Sequence, residues 1–405
     1  MALLVAGIMV LAVNLRAAIT GLPPVFPELS TALHLSAASI TVLAAVPVLC
    51  FALFSGLGGP LSRGFGEERV LLAALLLLTG GLLLRGAWPT VMLFPGTVLA
   101  GGAIALMNVL LPSLVKRRHP DHAGTLIGAY LLTLGAGAVV ASLIAVPVFR
   151  AAGGGQGRAG WPVELTLGLW AVPAAIAAVV WLPQIRYRTR PARTDRQVRL
   201  AVHRHALAWQ VAAFMGLQSL IYYATLSWLP ILFRDRGVSA AAAGGLLALM
   251  NLGNAVTALL APMLAHRLRD QRPIIVVTVA AIAAGLTGSL FAPTGSAFVW
   301  TLLLGFGQGA SLGLAIFFTM ARAPDPGAAA SLSGFAQSVG YLIAAAGPLA
   351  VGFLHTAIGG WTVPVLALLG VAAIQLWAGL LAGRARTLPS PAPSPDPAEP
   401  GIRPM

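Results

Sequence analysis

Charge is what this sequence most lacks: 9% of its 405 residues are charged, while 58% are hydrophobic. A soluble fold of that length could not clothe its surface with so few charges, which excludes a soluble globular protein. Cysteine is nearly absent too. Cys50 is the one thiol, so there is no intramolecular disulfide or cysteine metal cluster, and its place inside an apolar run assigns it to packing. Apolar runs carry no acid in their interiors, since Glu28 and Glu164 stand at run ends, and His34, His355 and the other histidines lie in connectors. A carboxylate or histidine proton relay therefore has no carrier at membrane depth. Paired carboxylates, a Ser–His pair and metal-ligand clusters are missing there as well, so no enzyme chemistry, cofactor or metal is expected.

What the chain does have is apolar runs of about 20 residues joined by short polar connectors, the pattern of an all-α polytopic membrane protein. The runs fall at 3–26, 39–61, 70–84, 91–115, 123–149, 165–182, 207–233, 240–264, 274–291, 297–320, 328–354 and 361–381, giving twelve spans. The first lacks a basic leader and a small-residue cleavage site, and reads as a retained span.

Basic residues alternate between connectors. Arg63, Arg69, Lys116, Arg117, Arg118, the stretch 186–204, Arg267, Arg269, Arg272, Arg322, Arg384 and Arg386 fall on one side; Arg85, Arg150, Arg158, Arg234 and Arg236 fall on the other. The positive-inside rule then places both termini in the cytoplasm, with the chain multi-pass in the plasma membrane. The net charge of +14 is a topology signal on this reading, and no nucleic-acid partner is expected.

The one long arginine-rich connector divides the chain into an N-terminal six-helix half (1–183), a cytoplasmic central loop (184–206) and a C-terminal half (207–383). A Pro-rich tail (384–405) follows, whose composition predicts disorder. The halves show weak similarity at an offset of about 206 residues, with Pro24 falling on Pro230 and Gly128 on Gly334. Two parallel six-span repeats with a site between them is a transporter plan. At that offset Arg16 corresponds to Tyr222, so the two are expected to face the cavity from opposite halves.

Arg16 interrupts the first apolar run roughly 20 Å along its helix, past the middle of a hydrocarbon core of about 30 Å. An arginine at that depth costs about 2.5–3.5 kcal/mol on insertion scales. It either faces a watery cavity and marks a ligand path or snorkels to the headgroups. Thr20 lies one turn on and shares its face, and Pro23-Pro24 breaks the helix beyond. Asn14 is about 200° round the helix from Arg16 and reads as packing or gating.

Other polar groups that lipid would not tolerate are Asn108, Tyr130, Gln218, Tyr222, Tyr223, Asn251, Asn254, Gln308, Gln337, Ser338 and Tyr341. Gln218 with Tyr222 and Gln337 with Tyr341 are spaced by four and share helix faces. For any single amide the alternative is an interhelical hydrogen bond that glues spans together. A cation without an acidic partner favours an anionic or electron-rich small solute, held by a charge-assisted contact. Glycines at 101–102, 135, 137, 305, 307, 309, 340 and 347 provide close helix approach, with Gly347-Pro348 a candidate gating or packing element.

These residues carry a resemblance to the major facilitator superfamily and, within it, to the cyanate and 2-nitroimidazole permease group. The resemblance rests on Asn14-Leu15-Arg16 with Thr20, Pro47-Val48-Leu49-Cys50-Phe51, Asn108-Val109-Leu110-Leu111-Pro112 and Met215-Gly216-Leu217-Gln218-Ser219-Leu220-Ile221-Tyr222-Tyr223. Gly305-Phe306-Gly307-Gln308-Gly309 and Ala336-Gln337-Ser338-Val339-Gly340-Tyr341 complete it. It implies a twelve-helix permease of two pseudo-symmetric halves rocking around a central site, moving compounds such as cyanate or nitroimidazoles. The substrate-binding set would be Arg16, Thr20, Asn108, Tyr130, Gln218, Tyr222, Tyr223, Gln308, Gln337 and Tyr341, in a monomer. The connector after the second span departs from the superfamily pattern. Arg63 stands where an aspartate is usual and Glu67-Glu68, after Gly66, where bases are usual. The runner-up, an exporter of amphipathic drug-like compounds, would show a glycine–proline signature on the fifth span, which is not intact between Gly128 and Pro147.

Overall fold

The structure is a computed structural model that describes residues 2–154, 160–187, 189 and 202–389. The expected central loop lies largely, and the expected Pro-rich tail mostly, outside the described residues. Twelve helical spans follow one another up and down. α1 (Ala2–Thr20) passes through a 3-10 turn at Pro23–Val25 into a short helix, Phe26–Ala32. α2 (Ala37–Phe54) is prolonged by Gly58–Phe65, and α3 (Glu67–Ala87), α4 (Pro89–Arg118) and α5 (Ala123–Ala151) follow. α6 is in two pieces, Trp161–Gly168 and Ala171–Trp181. The second half holds α7 (Ala206–Asp235), α8 (Ala240–Arg267), α9 (Arg272–Phe291), α10 (Ala297–Ala321), α11 (Pro326–Ile358) and α12 (Thr362–Ala382).

Among the described residues, eleven of these spans are long and apolar enough to cross a membrane. The twelfth is α7, whose 30 residues are ample in length but include Gln210, Gln218, Ser219, Tyr222, Tyr223, Thr225 and Ser227. Its location explains the polarity: Ile221 to Pro230 are buried without interruption. In the first half the overlapping stretch from Ala17 to Phe26 is buried in the same way. Both stretches run along the middle of the bundle, where lipid does not reach.

Small residues let backbones meet. Along α10, a Cβ on Gly305, Gly309 or Gly313 would collide with the carbonyl oxygens of Met250, Asn254 and Ala258 on α8. Both series repeat every four residues, so one face of α10 lies directly on one face of α8. Gly307 points elsewhere, to Thr278 and Ile282 of α9. The same device joins the halves. They touch along two seams, α5 with α8 and α2 with α11. Gly135 abuts Ala255 in the first, and Gly352 abuts Thr41 and Trp228 beside the second.

α6 departs from the single run expected at 165–182. Its chain bends at Leu169-Trp170, and the carbonyl of Leu167, at the end of the first piece, accepts from Arg85 Nη2 at 3.3 Å. Arg85 is 1% exposed, and a cation at a helix C-terminus is favourably placed against the helix dipole. The break therefore accounts for one of the arginines the sequence assigned to a connector.

Candidate functional site

Arg16 lies on α1 opposite α7, and its Nη1 donates to the hydroxyl of Tyr222. Its guanidinium carbon also sits 4.7 Å from the Tyr222 ring centroid, so one tyrosine offers both an acceptor and a π face. The ionisable groups in electrostatic range are Tyr222, Tyr223, Tyr341 and Tyr130. Four of the chain's 5 tyrosines thus lie around the charge, and among the described residues no carboxylate joins them. Tyr223 packs edge-on to Tyr222, with centroids 5.1 Å apart. Phe51 of α2 closes the wall at 6.1 Å from Tyr223 and 5.4 Å from Tyr341. Tyr130 donates to Asn108 Oδ1 at 3.4 Å, linking α5 to α4 beside the group.

Arginine has only donors, so the Tyr222 oxygen must accept from it and send its own proton elsewhere. That proton goes to Asn251 Oδ1 of α8, 2.9 Å away. Asn251 Nδ2 in turn donates to Leu247 O at 3.0 Å and reaches Ser142 Oγ of α5 at 3.4 Å. Ser142 donates to Ala138 O, and the single Thr20 hydroxyl proton is shared between Ala138 O at 3.3 Å and Arg16 O at 3.0 Å. A closed ring of polar contacts therefore runs through α1, α7, α8 and α5.

Other residues expected at the site have found partners within the protein. Thr20 is fully buried and its hydroxyl serves backbone carbonyls. Gln218 donates to its neighbour Ser219, and Gln337 to Ser333 one turn back on α11. Gln308 reaches from α10 to Thr225 Oγ1 at 2.7 Å, leaving its own carbonyl without a partner. Asn14 donates to Val10 O and to Pro173 O, tying α1 to α6. Gly347 lies against Leu220 O, and Pro348 O accepts from the Trp228 indole at 2.9 Å, so this pair joins α11 to α7. Sequence reasoning passed over Phe51, Asn251 and Ser142 as site residues. An aromatic in an apolar run and a serine among small residues send no signal of their own, whereas Asn251 stood out as a membrane-depth amide without a role.

Beyond the ring, on the side away from the termini, Arg234 Nη1 meets both carboxylate oxygens of Glu28 at 2.9 and 2.8 Å. Among the described residues, three hydrogen-bonded side-chain pairs bridge the halves: Arg16 with Tyr222, Asn251 with Ser142, and Glu28 with Arg234. All lie at mid-depth or farther from the termini. Between ring and ion pair is a small cavity lined by Ile19, Phe26, Pro47, Tyr223, Leu226 and Ser227, among others.

The sequence profile described as Major Facilitator Superfamily matches residues 7–348. The chain belongs to the major facilitator superfamily. It is 41% identical to the 2-nitroimidazole transporter of Escherichia coli (strain K12), covering 94% of this chain and 95% of that protein. It is 27% identical to the cyanate transport protein CynX of the same strain, over 91% and 95%. The crystal structure of a D-xylose-proton symporter superposes with a TM-score of 0.72 at 17% identity, over 95% of this chain and 99% of that one, a likeness of fold alone. The protein is therefore a multi-pass membrane transporter of a small-molecule solute, not an enzyme.

In this transporter the departures from the superfamily connector pattern find their explanation at the termini side. Glu68, fully buried, accepts from the backbone and hydroxyl of Thr189 and lies 3.5 Å from Arg118, which stacks 3.9 Å from the Tyr187 ring. Glu67 accepts from Ser113 at 2.8 Å and lies 3.5 Å from Arg117. The acids at the start of α3 thus pair with bases at the end of α4. Arg63 is exposed, and Gly66 takes φ +89°, a turn that L side chains rarely adopt.

Proposed function

We propose that this transporter is an alternating-access permease for a small anionic or nitro-bearing solute, of the cyanate or nitroimidazole kind. The supporting observation is the Arg16 charge, which has tyrosine hydroxyls and rings around it and, among the described residues, no carboxylate to neutralise it. Such a cation holds an anion or a nitro group through charge-assisted hydrogen bonds, and flat aromatic walls suit a planar solute. The names of the two relatives fit this chemistry. Tyr222, Tyr223, Tyr341, Tyr130 and Phe51 form the walls; Thr20, Gln218, Gln308 and Gln337 hold those walls in place. Binding and release alternate as the halves rock about the site; the basic connectors support a plasma-membrane orientation with both termini in the cytoplasm, and the transporter works as a monomer.

Purified protein in lipid nanodiscs, heated with cyanate or 2-nitroimidazole, tests the reading. Ligand raises the unfolding temperature of wild type and not of Arg16→Ala, with affinity falling roughly ten- to hundredfold for the loss of about 1.5–3 kcal/mol. Equal stabilisation of the two proteins rejects the anion-anchor reading.

A further inference from the structure

Asn251 does two jobs with its two ends. Its carbonyl takes the proton of Tyr222, and its amide reaches Ser142 in the other half. It is 2% exposed, and Ser142 is fully buried, so neither contact is diluted by solvent. Because the Tyr222 proton is committed to Asn251, the tyrosine oxygen presents lone pairs to Arg16 and satisfies it without cancelling its charge. An acid at position 251 would act differently: a carboxylate one hydroxyl away from Arg16 would be a built-in counter-ion.

We propose that Asn251 is a positioning residue that keeps the Arg16 site selective for anions through its carbonyl, and clasps α8 to α5 through its amide. The proposal rests on the anion-site reading above. It ties the solute's binding site to one of the two seams that hold the halves together: a solute that draws Arg16 away from Tyr222 loosens the partner that orients Asn251. Two turns back along α8, a Cβ on Gly244 would meet Ser142 O at 2.8 Å, so the two backbones also come close beside this clasp.

Three substitutions separate the jobs. Asn251→Asp keeps an acceptor for Tyr222 and adds a charge, with the Ser142 hydroxyl turning from Ala138 O to donate to the carboxylate; Asn251→Leu adds no charge and removes carbonyl and clasp together, and Ser142→Ala removes the clasp alone. Each is made in a Cys50→Ser background carrying Ser227→Cys, which places a thiol in the cavity between the ring and the Glu28–Arg234 pair. Equilibrium binding of cyanate and 2-nitroimidazole is measured beside the rate of thiol labelling from the side away from the termini. For Asn251→Asp we expect cyanate affinity to fall roughly tenfold or more, nitroimidazole affinity to fall less, and labelling to stay at the parent rate. For Ser142→Ala, which leaves the Tyr222–Asn251 bond in place, labelling rises several-fold and the ratio of the two affinities stays put; for Asn251→Leu, which also frees the Tyr222 proton, labelling rises several-fold and the ratio shifts against cyanate.

General damage would lower both affinities together, so the ratio is the reading that a purely structural role leaves unmoved. Unchanged cyanate binding in Asn251→Asp, or parent-rate labelling in both Asn251→Leu and Ser142→Ala, overturns the proposal while leaving the Arg16 site standing. Should Arg16→Ala bind both probes as the parent does, the anion-site reading falls and this proposal falls with it.

Discussion

Two arginines of this transporter each face the position 206 residues away in the opposite half, and they meet different partners. Arg16 meets Tyr222, a neutral hydroxyl; Arg234 meets Glu28, a carboxylate held by both oxygens. The first charge is satisfied but left available, and the second is cancelled. The pair at Arg234 has side chains 24% and 16% exposed, so water still reaches it and its Coulomb gain is modest. Arg16 lies deeper, where an uncancelled charge is costly and is kept only for a purpose. A fold can therefore use one residue type for holding a solute or for holding itself shut, according to what stands opposite.

Giving Arg16 the partner that Arg234 has should produce the largest effect. Tyr222→Glu supplies an internal carboxylate that competes with solute, and cyanate affinity is expected to fall roughly a hundredfold or more, measured by titration in nanodiscs. The converse change takes the carboxylate from Arg234. Glu28→Gln should weaken the closure away from the termini by about 0.5–1.5 kcal/mol, a roughly three- to tenfold faster labelling of a thiol at Ser227→Cys, with solute affinity little changed. High salt should shrink the difference between Glu28→Gln and its parent, because the pair is partly solvated. The exchange Glu28→Arg with Arg234→Glu should bring labelling back to within about twofold of the parent, since the coupling belongs to the pair. The smallest effect is expected two residues from Arg16. Asn14→Leu loses hydrogen bonds to Val10 and Pro173 only, so thermal stability should drop by about 1 kcal/mol while solute binding stays as it was.

The bundle itself was legible because hydropathy reports burial in lipid directly: ten of the twelve spans begin and end within a few residues of the apolar runs that announced them. The break in α6 was hidden, since Gly168-Leu169-Trp170 is as apolar as its flanks and the bend depends on Arg85 arriving from α3. At the site, the repeat offset foretold that Arg16 would look toward Tyr222. Spacing along a helix says which residues share a face, but it does not say what that face touches. Thr20 and Gln308 read as solute contacts from spacing alone, and only the structure adds that the one reaches α5 and the other α7. Phe51 and Ser142 became visible only when α2 and α5 were laid beside α11 and α8. The acids Glu67 and Glu68 looked anomalous against the family pattern because their partners, Arg117 and Arg118, lie 50 residues on.

A residue that touches its own repeat-equivalent must lie on the line about which the two halves are exchanged. Arg16 with Tyr222 and Glu28 with Arg234 mark that line at two heights. Had the halves remained identical copies, each of these places would bring like against like, arginine against arginine or glutamate against glutamate, with repulsion at membrane depth. A single charge on the line is open only to a chain whose halves have diverged. Divergence also breaks a degeneracy: between identical walls, a small molecule has two equivalent ways to lie, related by a half-turn. Between Arg16 on one wall and Tyr222 on the other it has one.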